Sequence, residues 1–400
     1  MSFLRRKIKE ERAATLIMVA VAMVAIFAFA VLAIDISLVQ LAKNQLQNAA
    51  DAAALAGAIE YTITDGDASA AVAEAIQIAG LNRAIQTTQQ PVKITSADVS
   101  FPSSRHVRVR THRTEATSDP IKLYFMGVIN TASDNLGSMT ASATAEVLPI
   151  GGTNCLKPWM FPDRWDDADG DHVYDARETY TDLNGNDQYD AGEPFDDLNK
   201  NGVWDAGEYY DMQATGYRVP DHVGETIVLK FNNGSLNNYA PKEGWYQIIR
   251  FGPVNRGGPD CPGGDCYRDW IPGCEPYLVM VGDTMEMELG AKVGPTDQGF
   301  QELIDRDLSA YYDPSTGTIQ GSAYPVSPRL IKAAVYDPSE GIYSMGGASK
   351  YLTVKKIVVV FLEARTGSAE VLGRFMRMAT QGELCPECDP GFAFGAHLVE

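Results

Sequence analysis

Between Asp163 and Asp211 the chain carries 13 Asp and 3 Glu against Arg164, Arg177 and Lys200, so this stretch holds −13 of the net charge of −19. Within it, three segments align at a period of 15 residues. The first reads Asp167, Asp169, Asp171, Asp175, Glu178; the second Asp182, Asn184, Asn186, Asp190, Glu193; the third Asp197, Asn199, Asn201, Asp205, Glu208. Oxygen-bearing side chains thus fall at positions 1, 3, 5, 9 and 12 of each segment, the ligand spacing of an EF-hand calcium loop. Position 7 would add a backbone carbonyl, from Val173, Gln188 and Val203. Calcium takes six to eight hard oxygen ligands at about 2.3–2.6 Å, which gathers several carboxylates into one short loop. Without a cation the same charges repel and hold the segment extended. An aromatic recurs at position 8 (Tyr174, Tyr189, Trp204). A solvated acidic linker explains neither that aromatic nor the Glu at position 12 three times over. The expected cofactor is Ca2+, at up to three sites.

The loops are not equal. The third has Gly202 at position 6, where the chain must turn sharply, and is the surest. The second has Asp187 and the first His172 there, residue types that tolerate left-handed backbone. Arg177 beside Glu178 sets a positive charge against the first loop. Only three residues separate successive 12-residue loops, which leaves no room for flanking helices. The expectation is a ladder of loops stiffened by calcium.

Enzymatic chemistry finds less support. The five histidines (His106, His112, His172, His222, His397) are scattered, and no His-Glu-x-x-His, Gly-x-Ser-x-Gly or phosphate-loop pattern occurs. Asp221-His222 after Pro220 reads as a structural turn, and Trp159, Trp165, Trp245 and Trp270 read as core rather than as a carbohydrate platform. The acidic balance also argues against nucleic acid as a partner.

The elements that must position these loops begin with Ala13–Ile34, 22 uncharged residues long enough to span a bilayer as a helix. Arg5, Arg6, Lys7, Lys9 and Arg12 precede it and the next basic residue is Lys43, so the N-terminus is expected in the cytoplasm. A cleaved signal peptide is the competing reading; helix-forming sequence running on unbroken to Gly57 favours retention. A second helix is expected over 67–84, strands over 91–101, 106–110 and 138–148, and a short helix over 121–129. Gly151-Gly152 marks a boundary. Strands follow at 225–231, 245–251, 277–281, 330–336 and 351–362, with a helix at 300–308 and Ile357–Phe361 as a central buried strand. The fold class is α+β. Its parts are a basic tail (1–12), the transmembrane helix with its Ala-rich extension (13–60), a small α+β module (61–150) and a linker with the calcium loops (151–211). A mostly-β domain (212–384) and a Cys-containing tail read as a loop (385–400) complete it. The even set of six cysteines beyond the apolar segment favours disulfides over metal-bound thiolates. Six cysteines allow about 15 connectivities, among which the sequence does not choose; the pairing expected here is Cys261–Cys266, Cys385–Cys388 and Cys155–Cys274. A redox dithiol at Cys385-Pro-Glu-Cys388 is the alternative for that pair.

The basic lead, Glu10-Glu11-Arg12, the apolar helix ending in Asp35, and Gln45-Leu-Gln-Asn-Ala-Ala-Asp-Ala-Ala-Ala-Leu-Ala-Gly-Ala58 together resemble the N-terminal region of TadE/TadG-like proteins of tight-adherence (Flp-type) pilus assembly. Tyr267–Cys274, Gly294–Gly299 and Ser327–Arg329 are similar to stretches of TadG-related chains. The von Willebrand factor A metal motif of some relatives is missing, and no Gly precedes Glu10-Glu11, so prepilin-peptidase processing is not supported. The resemblance implies a non-catalytic, minor pilin-like or scaffold protein of the bacterial inner membrane. Its bulk would be periplasmic or extracellular, and its partners would be pilus-assembly or pilin-like proteins met through the N-terminal helix. Small Ala side chains let such helices approach closely. A calcium-dependent surface adhesin or ligand-binding module is the alternative, and an anchored hydrolase a third.

Overall fold

The computed structural model describes residues 2–84, 90–114, 121–124, 136–198, 202–231, 240–258, 263–290, 292–388 and 391–399. It divides into two compact units, Met1–Val147 with Ala396–Glu400, and Leu148–Gly395.

In the first unit, α1 (Ser2–Ile63) is one continuous helix of 62 residues, about 93 Å long at 1.5 Å per residue. Its apolar half is mostly exposed between Leu16 and Ile36, with Asp35 buried and accepting from the Tyr124 N–H at 2.8 Å, and it is the one helix among the described residues long and apolar enough to cross a membrane. The Ala-rich half behaves otherwise. Ala42, Leu46, Ala49, Ala50, Ala53, Ala54 and Ala58 are buried between α2 (Ala68–Leu81), which presents Ala71, Ala75 and Ala79, and the strand His106–Arg113, whose Thr111 hydroxyl donates to the Leu46 carbonyl at 2.9 Å. A Cβ added to Gly57 would lie 3.3 Å from the Ala71 carbonyl oxygen and the Ala75 Cβ. The small residues expected to serve lateral assembly therefore pack this unit's own core. Asp67 caps α2, its carboxylate accepting from the Ser69 and Ala70 N–H groups.

Behind the helices lies an antiparallel sheet of β1 (Val99–Ser103), β2 (His106–Arg113) and β3 (Met139–Thr153). Alternation of β2 buries Val107, Val109 and Thr111, as period-two patterning requires. The expected strand over 91–101 is mostly interrupted: Ser96–Asp98 is a 3-10 turn held by a Thr95–Asp98 capping box. The short helix expected over 121–129 is not formed at Ile121–Lys122, which pairs as a strand with Leu136–Gly137; residues 125–129 lie outside the described residues. Gly151-Gly152 sits inside β3, a strand within which the two units divide between Val147 and Leu148.

The second unit is built on a closed six-stranded barrel. Its strands are β4 (Leu156–Pro162), β5 (Thr226–Phe231), β6 (Trp245–Ile248), β7 (Leu330–Tyr336), β8 (Lys356–Gly367) and β9 (Glu370–Phe375), in the order β6-β4-β7-β8-β9-β5. The β4/β7 and β5/β6 pairs are parallel and the others antiparallel. Ile357–Phe361 lies in β8 between two neighbours, fully buried, as its unbroken apolar run requires. Two helices, α3 (Gly264–Trp270) and α4 (Val293–Asp305), cover the core. Here the Trp159 Nε1–H donates to the Tyr267 hydroxyl at 3.0 Å, which meets Thr296 Oγ1 at 2.8 Å. The Arg329 guanidinium donates to the carbonyls of Asp307, Ala310 and Leu362. Tyr267, Thr296 and Arg329 thus brace the barrel. The end of the chain, read as a loop, contains a strand, β10 (Ala393–Val399). Disulfides join Cys155 to Cys274 and Cys385 to Cys388. Cys266 is also disulfide-bonded, and its expected partner Cys261 lies outside the described residues.

Candidate metal centre

The acidic stretch leaves the barrel at the end of β4, through Asp163. Burial pushes the Asp163 carboxyl up, opposed by Lys356 and by backbone N–H bonds led by that of Tyr217. Lys356 Nζ donates to Asp163 Oδ2 at 3.0 Å and to the Tyr217 carbonyl at 2.6 Å, and the Tyr210 hydroxyl donates to the same Oδ2 at 3.1 Å. Both ends of the stretch are therefore fastened to one buried ion pair. Sequence reasoning missed it, because a single Lys and a single Asp carry no spacing signal.

Between these ends the three loops share the same geometry at position 6. Position 6 is left-handed in each, at φ 62° for His172, 58° for Asp187 and 77° for Gly202. The N–H of that residue donates to the position-1 carboxylate every time, at 3.2 Å to Asp167, 2.8 Å to Asp182 and 2.9 Å to Asp197. These bonds hold the Asp182 carboxyl below its usual value, the Asp187 N–H first among them. Each loop thus curls around its first carboxylate, and in the first loop the other carboxylates come together. Single ligand atoms of Asp167, Asp169 and Glu208 all lie within 4.8 Å of one another, as do those of Asp169, Asp171 and Asp175. In the second loop the Asn184 and Asn186 amides donate to Asp190 Oδ2 at 2.6 and 2.8 Å. Asn199 and Asn201 of the third lie outside the described residues.

The Glu residues change partners relative to the sequence reading. In every loop the N–H groups of positions 2 and 9 donate to the two oxygens of one Glu. In the second loop Leu183 and Asp190 hold its own Glu193, at 2.8 and 2.9 Å. In the third, however, Leu198 and Asp205 hold Glu178, at 2.7 and 3.2 Å. In the first, Ala168 and Asp175 hold Glu208, at 3.0 and 3.1 Å. Loops one and three exchange their position-12 carboxylates. The cause is local pairing: Glu178 N–H bonds the Asp205 carbonyl and Glu208 N–H bonds the Asp175 carbonyl. That pairing needs Gly207, since a Cβ there would lie 2.3 Å from the Arg177 nitrogen. The second loop instead turns on itself, Glu193 N–H bonding the Asp190 carbonyl. Arg177 therefore flanks the glutamate of the third loop, not that of the first.

Two of the position-8 aromatics, Tyr189 and Trp204, form a small core with Tyr180, whereas Tyr174 packs on Trp165. Tyr189 and Trp204 stack at 4.6 Å, Tyr180 meets Trp204 edge-on at 5.5 Å, and Tyr174 meets Trp165 at 5.7 Å. Burial pushes the Glu208 carboxyl up to about 7, against the N–H bonds from Asp175 and Ala168, and Asp167 adds repulsion. The donor set is all hard oxygen, with the position-7 residues Val173, Gln188 and Val203 following each left-handed turn, which fits calcium rather than a thiolate- or imidazole-loving metal.

The other candidates serve structure. His222 is buried, with Nε2 2.6 Å from Arg164 Nη1, and anchors the turn after Pro220. Trp159 and Trp165 are core residues.

A membrane-length apolar helix at the N-terminal end and a β-rich unit carrying the acidic loops are the architecture of a single-pass membrane-anchored protein. A family model described as "Putative Flp pilus-assembly TadE/G-like" matches residues 13–60, the apolar and Ala-rich stretch of α1. No curated protein and no solved structure matches the chain.

Proposed function

We propose that this chain is a non-catalytic, membrane-anchored component of Tad/Flp-type pilus assembly, minor pilin-like or scaffolding, whose exported region is stabilised by calcium. The observation that carries the role is the TadE/G-like match over residues 13–60. Because the Ala-rich half of α1 packs on α2, contact with other assembly proteins falls to the mostly exposed apolar half, Leu16–Ile36. Support for calcium is the threefold recurrence of one cradle: a left-handed position 6, a curled position-1 carboxylate, and a Glu held by two N–H groups. The third site would comprise Asp197, Asn199, Asn201, Val203 and Asp205 with Glu178; the first, Asp167, Asp169, Asp171, Val173 and Asp175 with Glu208; the second, Asp182, Asn184, Asn186, Gln188, Asp190 and Glu193. Co-purification of the full-length protein from native membranes tests the role. Pilus-assembly proteins eluting with it are expected, and elution of the chain alone from cells making the pilus contradicts the proposal.

A second reading, a calcium-dependent adhesin sharing only the anchor, is favoured by the exposed apolar residues Leu183, Leu198 and Val203 on the loops. Binding of cells lacking all pilus genes to a surface, through this chain alone, would favour it.

A further inference from the structure

The position-3 residues of the first two loops are Asp169 and Asn184, and each precedes a glycine in left-handed backbone, Gly170 at φ 76° and Gly185 at φ 75°. An Asn-Gly pair is chemically special because glycine, without a Cβ, lets its backbone nitrogen reach the preceding side-chain amide carbon. Asn184 and Gly185 are both exposed. In the closed loop, however, both reacting groups are tied. The Gly185 N–H donates to Asp182 Oδ1 at 2.6 Å, and the Asn184 amide donates to Asp190 Oδ2 at 2.6 Å. Attack requires that the loop open first.

We propose that Asn184 is a site of spontaneous deamidation, shielded while the second loop is closed and reactive once it opens, and that its aspartate product completes the loop's carboxylate set. The Gly185 nitrogen gives its proton to solvent and bonds to Asn184 Cγ. The side-chain nitrogen gains a proton and leaves as ammonia, giving a cyclic imide. Water then opens the ring at either carbonyl, producing aspartate or its β-linked isomer, with no change of oxidation state. The first loop shows that a carboxylate fits there: Asp169 precedes Gly170, whose N–H donates to Asp167 Oδ1 at 2.9 Å as that of Gly185 does to Asp182. After conversion one of the two amide donors to Asp190 Oδ2 is replaced by a second carboxylate, whose repulsion a cation between them would offset. The isomer instead lengthens the backbone at position 184 and breaks the link from Gly185 to Asp182. Control of the reaction by calcium rests on the calcium reading above; the amide chemistry does not.

The test incubates full-length protein in detergent at neutral pH with calcium or with chelator, and follows the peptide containing Asn184 by mass spectrometry while calorimetry records calcium binding. Conversion of Asn184 is expected to run about tenfold faster in chelator, as release of the hydrogen bonds that hold the loop implies. Equal conversion in both arms with calcium bound overturns the shielding. Equal conversion with no calcium bound overturns the calcium reading and leaves Asn184 as the reactive residue. No conversion in either arm overturns the site itself.

Discussion

Replacing Glu178 by Gln separates two incompatible assignments of one carboxylate. By spacing, Glu178 closes the first loop; by geometry it closes the third, where the Leu198 and Asp205 N–H groups hold its two oxygens. The side chain is 2% exposed, so a cation beside it would interact with little screening. Glu178→Gln keeps one oxygen acceptor but loses the charge and the bidentate ligand. We expect about 2–4 kcal/mol of lost binding at one site, roughly thirty- to several-hundred-fold in affinity. The assay is a double-mutant cycle read by calcium calorimetry. Glu178→Gln should be non-additive with Asp197→Ala, because both disable the third site, and additive with Asp167→Ala. The reverse pattern, coupling to Asp167 and independence from Asp197, refutes the exchange and returns Glu178 to the first loop.

Three further outcomes follow from the same geometry. Lys356→Met should cost about 3–5 kcal/mol in urea unfolding of the second unit, since it strands Asp163 as an unpaired buried acid; adding Asp163→Asn should recover part of the loss. Gly57→Leu should destabilise the first unit by about 1–3 kcal/mol through overpacking against Ala71 and Ala75, read as loss of cooperative thermal unfolding of that unit. The third concerns pH: burial lowers Lys157 and Lys332 to about 8. Between there and the ordinary lysine value the unfolded chain binds more protons than the folded one, so stability rises with pH in that window. The gain should be of order 1 kcal/mol per lysine, reached before unfolded tyrosines ionise near pH 10, and absent in Lys157→Met/Lys332→Met.

How much of this was legible depends on how local each signal was. The membrane helix and α2 were readable because an unbroken apolar run and a capping Asp67 act within their own segments. β8 was readable because a strand buried on both faces is apolar throughout. β4 was overlooked, since Leu156-Lys-Pro-Trp-Met-Phe-Pro162 carries two prolines and a lysine whose ammonium is satisfied only in the fold, by the Gly273 carbonyl at 2.7 Å. β9 was overlooked because Gly373 weakens its pattern, yet a Cβ there would come within 2.4 Å of Val360. The Ala-rich helix was correctly seen as a close-packing surface, but composition does not say whether the partner is another chain or α2. Likewise the repeat names every acidic residue, while three copies of Asp-Ala-x-Glu look alike in sequence. Which Glu enters which loop is decided only by the pairing of residues 175–178 with 205–208.

Protease added to intact spheroplasts tests location and calcium dependence together. With calcium present, the segment Asp163–Asp211 should resist cleavage while the chain remains reachable from outside; with chelator it should be cut first. Cleavage of that segment at the same rate in both conditions, or full protection until the cells are lysed, contradicts the account.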